Sequence, residues 1–187
     1  MSLFAPYEPR DPGSPRPPPP AELLIREAMF RDAPAVARLI AEREGDDFER
    51  RLEKIGAELA RDDLGRQRML VVAEVGAAVV GFGRTVLCAP SPDAPPDAPP
   101  PGWYLGGVIV APAHRRRGIA GELTRRRIEW LRARGVNEAW FVVNADNRAS
   151  IDLHAAFGFR EVTRDFVQPG VTFSGRGQGI LFRAALA

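Results

Sequence analysis

The chain has 187 residues, of which 45% are hydrophobic, so it can bury the core of one domain without disulfides or metal ions. Its single cysteine, Cys88, excludes an internal disulfide, and no Cys and His residues have the spacing of a metal site. A net charge of +2 lacks the positive surplus of a typical nucleic-acid-binding protein, and no apolar run is long enough to span a bilayer. We therefore expect a cytoplasmic, metal-free protein that is neither exported nor inserted into a membrane.

Proline is concentrated in two segments, residues 6–20 and residues 89–102. Such a density favours extended polyproline conformations and leaves little to bury. We therefore expect residues 1–20 to form a flexible arm, residues 21–187 to form a single domain, and residues 89–102 to form a long loop within that domain.

Between these segments the sequence alternates between strand and helix patterns. β-Branched and apolar runs predict strands, whereas apolar residues at steps of three and four predict helices. Asp32 before Pro34, and Asn147 before a short periodic run, have the pattern of helix N-caps. In chain order, the predicted elements are a strand at 23–29, helices at 32–44 and 48–60, strands at 69–75, 78–87 and 103–110, a helix at 118–134, a strand at 137–144, a helix at 147–157, and strands at 159–166 and 179–185.

This order of elements predicts an α/β fold with a mixed sheet. The strand at 103–110, the helix after it and the strand at 137–144 form a βαβ unit. Ligands of open α/β sheets bind beyond the carboxyl ends of the strands. We therefore expect the functional site just after Val110 and Asn144.

The segment after Val110 combines a strand end, a tight turn and a helix start. N–H groups at a helix N-terminus lack acceptors and favour an anion. Gly118 would let the main chain approach a phosphate, and the arginines at 115–117 would attract a polyanion. The segment therefore predicts a pyrophosphate site, although a solvated run of arginines explains the same residues.

The segment after Asn144 places three polar residues on one helical face. Asn147, Ser150 and His154 are spaced by three and by four residues. Leu153 and Phe157 add a partly apolar face suited to a pantetheine arm. Taken alone, however, His154 is better explained as a structural histidine.

With these two segments, the chain resembles the GNAT N-acetyltransferase superfamily over roughly residues 23–187. The family's cofactor motif is an Arg or Gln, two residues, Gly, one residue, and Gly or Ala, and it matches Arg115, Gly118 and Ala120 without a gap. Its second motif starts with Asn and ends in an aromatic residue followed by Gly-Phe, and it matches residues 147–159. Both motifs occur in order and are separated by the expected strand, which makes the match more specific than either motif alone.

The resemblance implies the GNAT, or acyl-CoA N-acyltransferase, fold, with a mostly antiparallel central sheet and acetyl-CoA as the co-substrate. The main chain of Val108 and Val110 would pair with the pantetheine, and the amides of residues 115–120 would hold the pyrophosphate. Asn147 would bond to the pantetheine, with Ser150 close to the phosphate arm. The cofactor-binding residues implied in this way are Val108, Ile109, Val110, Arg115, Arg116, Arg117, Gly118, Ile119, Ala120, Asn147, Ser150 and His154.

The resemblance also gives His154 a catalytic alternative. The family usually has a tyrosine at this position, which is thought to protonate the departing CoA thiolate. A histidine can also donate a proton, so His154 is either the general acid or a spectator. The general base stays unassigned, with Glu74 as a weak candidate near the end of a predicted strand.

The implied activity is N-acetyltransfer, in which a neutral amine attacks the acetyl thioester directly while both substrates are bound. The expected partners are acetyl-CoA and an amine-bearing small molecule or peptide, with no nucleic acid and no membrane. Acidic residues within 32–63 would attract a cationic acceptor, but a solvated helix explains them equally well, so the acceptor stays open.

Two other interpretations of the function remain open at this point, and so does the oligomeric state. The chain is alternatively a non-catalytic acyl-CoA-binding or sensor module, which would fit the histidine at position 154. A nucleic-acid-binding protein would use the arginines at 115–117 and 125–127. A homodimer would use the apolar segments at 171–173 and 180–182.

Overall fold

The computed structural model describes residues 18–61, 63–167, 173 and 178–186. Residues 1–17 of the predicted arm lie outside the described residues. Each predicted helix and strand is present, and all but the last strand have a changed end. The largest change is a strand that stops at Thr163 instead of 166. In chain order the elements are β1 Leu23–Glu27, α1 Ala33–Glu44, α2 Phe48–Leu59, β2 Arg68–Val75, β3 Ala78–Cys88, β4 Gly102–Val110, α3 Ile119–Arg132, β5 Glu138–Asn144, α4 Arg148–Ala155, β6 Arg160–Thr163 and β7 Gly179–Ala185.

The strands form a seven-stranded sheet in the order β1-β2-β3-β4-β5-β7-β6. β4 and β5 are parallel, with Tyr104 opposite Trp140, whereas β1–β2, β5–β7 and β6–β7 are antiparallel. A parallel pair needs a crossover connection, which α3 supplies. The mixed, mostly antiparallel sheet and its βαβ unit are therefore confirmed.

The chain divides into two compact units. The first contains the described residues up to Arg84 together with Gly107–Arg127. In its core, the apolar face of α1 packs with α2 and one face of the sheet, because Val36 and Ile40 belong to the same buried cluster as Phe82 and Ile109. This packing fixes the end of β4, where the sequence predicts the phosphate site.

The second unit contains Thr85–Gly106 and the described residues from Ile128 onward. Its core includes Tyr104 and Trp140, whose rings are stacked. The Tyr104 hydroxyl donates to the Pro100 carbonyl at 2.5 Å, and the Val167 N–H donates to the Asp97 carbonyl at 3.1 Å. The proline-rich segment is therefore a loop within this unit, held at two points.

The apolar run at 180–182 lies in β7, between β5 and β6. Ile180, Leu181 and Phe182 are all buried in the chain itself. Because these side chains already pack inside the molecule, they do not offer the dimer surface that the sequence suggested. The other segment of that suggestion lies, except for Phe173, outside the described residues.

Asp32 precedes α1 as predicted, but its carboxylate does not cap the helix. It accepts two hydrogen bonds from the Arg26 guanidinium, at 2.6 and 2.9 Å, and one from the Met29 N–H at 2.7 Å. A bidentate bond to a guanidinium is stronger than a neutral cap bond, so the side chain turns towards β1. The Arg26 hydrogen bonds hold the pKa of Asp32 below its ordinary value. Glu74, the candidate base, also accepts from Arg26, at 2.8 Å, and is thus held in an ion pair.

Candidate functional site

The turn between β4 and α3 contains two left-handed residues. Arg116 has a φ of 63° and Gly118 has a φ of 75°. Left-handed residues in turns bring successive N–H groups to one side, as in main-chain anion sites. For a residue with a side chain, this conformation costs about 1–2 kcal/mol, and such strained residues cluster at functional sites. The strain at Arg116 thus indicates that the shape of this turn is important.

Helix α3 starts directly after Gly118, which has no side chain to cap it. The first N–H groups of a helix have no acceptor within the helix, and the helix dipole adds partial positive charge there. With 14 residues, α3 is long enough to carry this partial positive charge at its start. Its first turn is fixed because Ile119 is buried in the core. The main chain at this helix start therefore suits an anionic ligand.

The three predicted arginines of this turn differ in their surroundings. Arg116 and Arg117 are exposed, whereas Arg115 is partly buried and its Nε donates to the Val110 carbonyl at 3.0 Å. Arg115 therefore links the turn to the end of β4.

The strand before the turn is anchored on one side and open on the other. Ile109 is buried in the core of the first unit, whereas Val108 and Val110 are partly exposed. A side chain placed on Gly107 would meet no atom within 4 Å. The first unit therefore brings together Val108–Val110 of the strand and residues 115–120 of the turn and helix start, as the sequence predicted.

The remaining predicted residues lie on α4 in the second unit and are joined by hydrogen bonds. The Asn147 Oδ1 accepts from the Ser150 N–H at 3.2 Å, so Asn147 caps the helix as predicted. The Ser150 carbonyl, in turn, is 2.8 Å from the His154 Nδ1. Because a carbonyl only accepts, His154 carries its proton on Nδ1 in this bond.

The His154 ring is enclosed by aromatic side chains. Only 1% of the residue is exposed. Its ring stacks on Phe141 with centroids 3.7 Å apart, and it meets the Phe159 ring at 5.5 Å and 86°. The contact with Phe141 joins α4 to β5, so His154 packs as part of the core of the second unit.

The sequence and the fold identify the family. The sequence model of the Acetyltransferase (GNAT) family matches residues 15–159. The chain belongs to the GNAT acetyltransferase family.

Two relatives are similar to part of this GNAT chain. Acetyl transferase GW6a of Oryza sativa subsp. japonica is 33% identical over 120 residues, which are 60% of this chain and 29% of the rice protein. Aminoglycoside N(6')-acetyltransferase type 1 of Acinetobacter genomosp. 13 is 38% identical over 61 residues, which are 33% of this chain and 42% of that protein. The match thus spans less than half the length of either relative.

Solved GNAT-like structures cover most of the chain. The structure of yncA from Salmonella typhimurium with its cofactor acetyl-CoA has a TM-score of 0.64 at 23% identity, and it covers 89% of this chain and 95% of that chain. Ribosomal-protein-alanine N-acetyltransferase from Brucella melitensis has a TM-score of 0.64 at 25% identity, with 87% and 99% covered. The GNAT fold of the chain is therefore shown.

The second arginine run of this GNAT chain, at 125–127, is not an open basic patch. Arg125 pairs with Glu122 at 2.5 Å, and Arg126 is 3.8 Å from Glu27. Arg127 is fully buried and donates to main-chain carbonyls and to a threonine hydroxyl, and burial lowers its pKa to about 9. Only Arg127 is thus withdrawn from the surface, while Arg125 and Arg126 are each paired with a glutamate.

Two further findings concern only the part of the chain that the structure describes. No group of three or more His, Cys, Asp or Glu residues there is placed to hold a metal ion. No helix there has the length and apolar character needed to cross a membrane.

Sequence reasoning missed one charged residue that lies close to the phosphate turn of this GNAT domain. Arg43 of α1 is near enough to Arg115 for the two charges to interact. The available signal was an arginine three residues after Ile40 and seven after Val36, which places it on the apolar face of a predicted helix.

Proposed function

We propose that this GNAT domain is an N-acetyltransferase that takes the acetyl group of acetyl-CoA and transfers it to an amine. The observation that carries the proposal is the start of α3, where left-handed Gly118, which has no side chain, directly precedes the first helix N–H groups. A helix start that follows a glycine and lies beside two exposed arginines fits the diphosphate of CoA in charge and in hydrogen-bond donors.

In this proposal the residues of the first unit bind the cofactor. The N–H groups of residues 117–120 hold the diphosphate, and Arg116 and Arg117 add positive charge. The main chain of Val108 and Val110 pairs with the pantetheine arm, like an added strand. Acetyl-CoA supplies a thioester carbonyl, which the neutral amine attacks directly. The described residues therefore bind and orient the cofactor, and no covalent enzyme intermediate is required.

For His154 we propose a positioning role in place of general-acid catalysis. Its Nδ1 proton is committed to the Ser150 carbonyl, and Phe141 and Phe159 enclose the ring. A general acid must come within hydrogen-bond distance of the atom that it protonates. Enclosure by two aromatic rings favours the spectator role among the two that the sequence leaves open.

The enclosure of the His154 ring also favours a second candidate function, a non-catalytic acyl-CoA sensor. The position that usually carries the family's proton donor holds a histidine packed in the core. A domain that kept the cofactor site and lost catalysis would show this combination.

The test combines binding with turnover. Acetyl-CoA binding to the protein is first measured alone. The protein is then incubated with acetyl-CoA and one acceptor at a time: an aminoglycoside, a polyamine, free amino acids or a peptide with a free N-terminus. Thiol release and the mass of each acceptor are then measured. An acetylated amine formed at the rate of thiol release supports the enzyme. Saturable acetyl-CoA binding without an acetylated acceptor supports the sensor, and absence of binding contradicts both.

A further inference from the structure

Arg43 lies on the core-facing side of α1. Residues three and seven apart share a helix face, so Arg43 lies on the same face of α1 as Val36 and Ile40. These two residues are 0% and 2% exposed. Arg43 itself is only partly buried, whereas Arg38 of the same helix is exposed. The side chain of Arg43 therefore lies at the edge of the core of the first unit.

This edge of the core is also the end of β4. The cluster that contains Val36 and Ile40 includes Ile109, and Ala111 packs against it. These two residues flank Val110, whose carbonyl accepts from Arg115. The α1 face that carries Arg43 therefore packs at the strand end that leads into the turn before α3, where the Arg115 side chain also lies.

The electrostatics of Arg43 agree with this placement. Burial lowers the pKa of Arg43, the charge of Glu44 raises it, and the positive charge of Arg115 lowers it further. The positive charges of Arg43 and Arg115 repel each other, so partial burial of both is unfavourable unless an anion compensates.

No acidic side chain among the described residues forms an ion pair with Arg43. Glu44, its neighbour, instead forms an ion pair with Arg51 of α2. Other partly buried arginines of the first unit have carboxylate partners: Arg26 pairs with Asp32, and Arg68 pairs with Asp63 at 2.9 Å. Arg43 and Arg115 thus differ from Arg26 and Arg68 in having no acidic side chain within ion-pair distance among the described residues.

We propose that Arg43 and Arg115 together bind a phosphate group of the CoA diphosphate, so that α1 contributes a ligand from outside the turn and helix of the family motif. Guanidinium groups donate several hydrogen bonds in a fixed plane, which suits phosphate oxygens. The inference rests on the proposed acetyl-CoA site and adds a residue that the motif does not contain.

The test is calorimetric titration of CoA into the wild type, Arg43→Gln and the matched variant Arg38→Gln, which removes an exposed arginine from the same helix. We expect about tenfold weaker CoA binding for Arg43→Gln, as for loss of a charged hydrogen bond, and less than about twofold for Arg38→Gln. Arg43→Lys, which keeps the charge but loses the planar donors, should lie between the wild type and Arg43→Gln. Equal thermal unfolding of all four proteins shows that the fold is kept.

Pantetheine, which lacks the diphosphate, separates a phosphate contact from a general effect. The dissociation constant of pantetheine, obtained from its competition with CoA and corrected for the affinity of each protein for CoA, should be the same for the wild type and Arg43→Gln. Unchanged CoA binding in Arg43→Gln would overturn the inference and leave the proposed function in place. Equal weakening of CoA and pantetheine would also overturn it, because the contact would not be to phosphate. A wild type that binds no CoA would instead refute the proposed function itself.

Discussion

Two helices that follow strands of the sheet begin in opposite ways. At the start of α4, Asn147 accepts a hydrogen bond from the Ser150 N–H, so the chain satisfies the helix with its own side chain. At the start of α3, the corresponding residue is Gly118, which has no side chain to offer. The difference separates a helix end that its own side chain satisfies from one whose first N–H groups suit the anionic ligand that we propose.

The contrast also holds within the first unit. Asp47 accepts from the Arg50 N–H at 2.8 Å at the start of α2, so α2 has a side-chain cap whereas α3 of the same unit follows a glycine. Only the turn before α3 adds a strained arginine, Arg116, which is the single non-glycine residue with positive φ in the described part of the chain. The open start is thus a feature of this helix and not of the whole protein.

The largest effect on stability is expected for the residue that anchors α4. His154→Ala removes a buried ring stacked on Phe141 and should lower the free energy of unfolding by about 3 kcal/mol, measured by chemical denaturation. His154→Phe keeps an aromatic ring and should be much less destabilised.

The second variant also tests the role of His154 in catalysis. With a positioning role, His154→Phe keeps kcat within about threefold of the wild type with any accepted amine. A loss of kcat without a loss of stability would instead assign the proton donation to His154, and α4 would then carry chemistry as well as structure.

A smaller effect is expected at the cap of α4. Asn147→Ala should cost about 1 kcal/mol of stability, because the Ser150 N–H loses its acceptor. Asn147→Asp keeps a cap oxygen and should retain this stability while losing the amide donor predicted to meet the pantetheine. Weaker CoA binding by Asn147→Asp would confirm that donor, whereas unchanged binding would leave Asn147 as a cap alone. Denaturation and calorimetry on the same samples separate the two roles.

The smallest effect is expected in the turn before α3. Arg116→Gly relieves a left-handed φ of 63° and should raise stability by about 0.5 kcal/mol, the strain removed being partly offset by the extra backbone freedom of glycine in the unfolded chain. Arg117→Gly removes a similar exposed charge without relieving a positive φ and should not stabilise. Equal changes in melting temperature for the two variants would contradict the strain assigned to Arg116.

Features encoded by short stretches of sequence were predictable. The periodicity and the turn residues gave the order of elements. Asn147 was recognised as a cap because capping depends on neighbouring residues, whereas the left-handed conformation of Gly118 was not predicted. The site residues on β4, the turn and α4 lie on the predicted elements for the same reason.

Features that depend on contacts between distant residues were not predictable. Asp32 looked like a cap, but its carboxylate binds Arg26 of β1. The run at 180–182 looked like a dimer surface because an apolar strand has the same pattern whether its own sheet or a partner covers it. Arg43 and Arg115 are far apart in sequence, so their approach depends on how α1 packs on the sheet.

The most direct test of the open helix start is acetyl-CoA binding, measured by calorimetry, to the wild type, Gly118→Glu and Gly135→Glu. Both glycines are left-handed, with φ values of 75° and 69°, but Gly135 follows the other end of α3, so the same strain and charge are introduced away from the proposed site. We predict saturable binding for the wild type and near wild-type binding for Gly135→Glu. Binding by Gly118→Glu should be at least about 100-fold weaker, because the carboxylate repels the diphosphate. Equal binding by Gly118→Glu and the wild type would contradict the account.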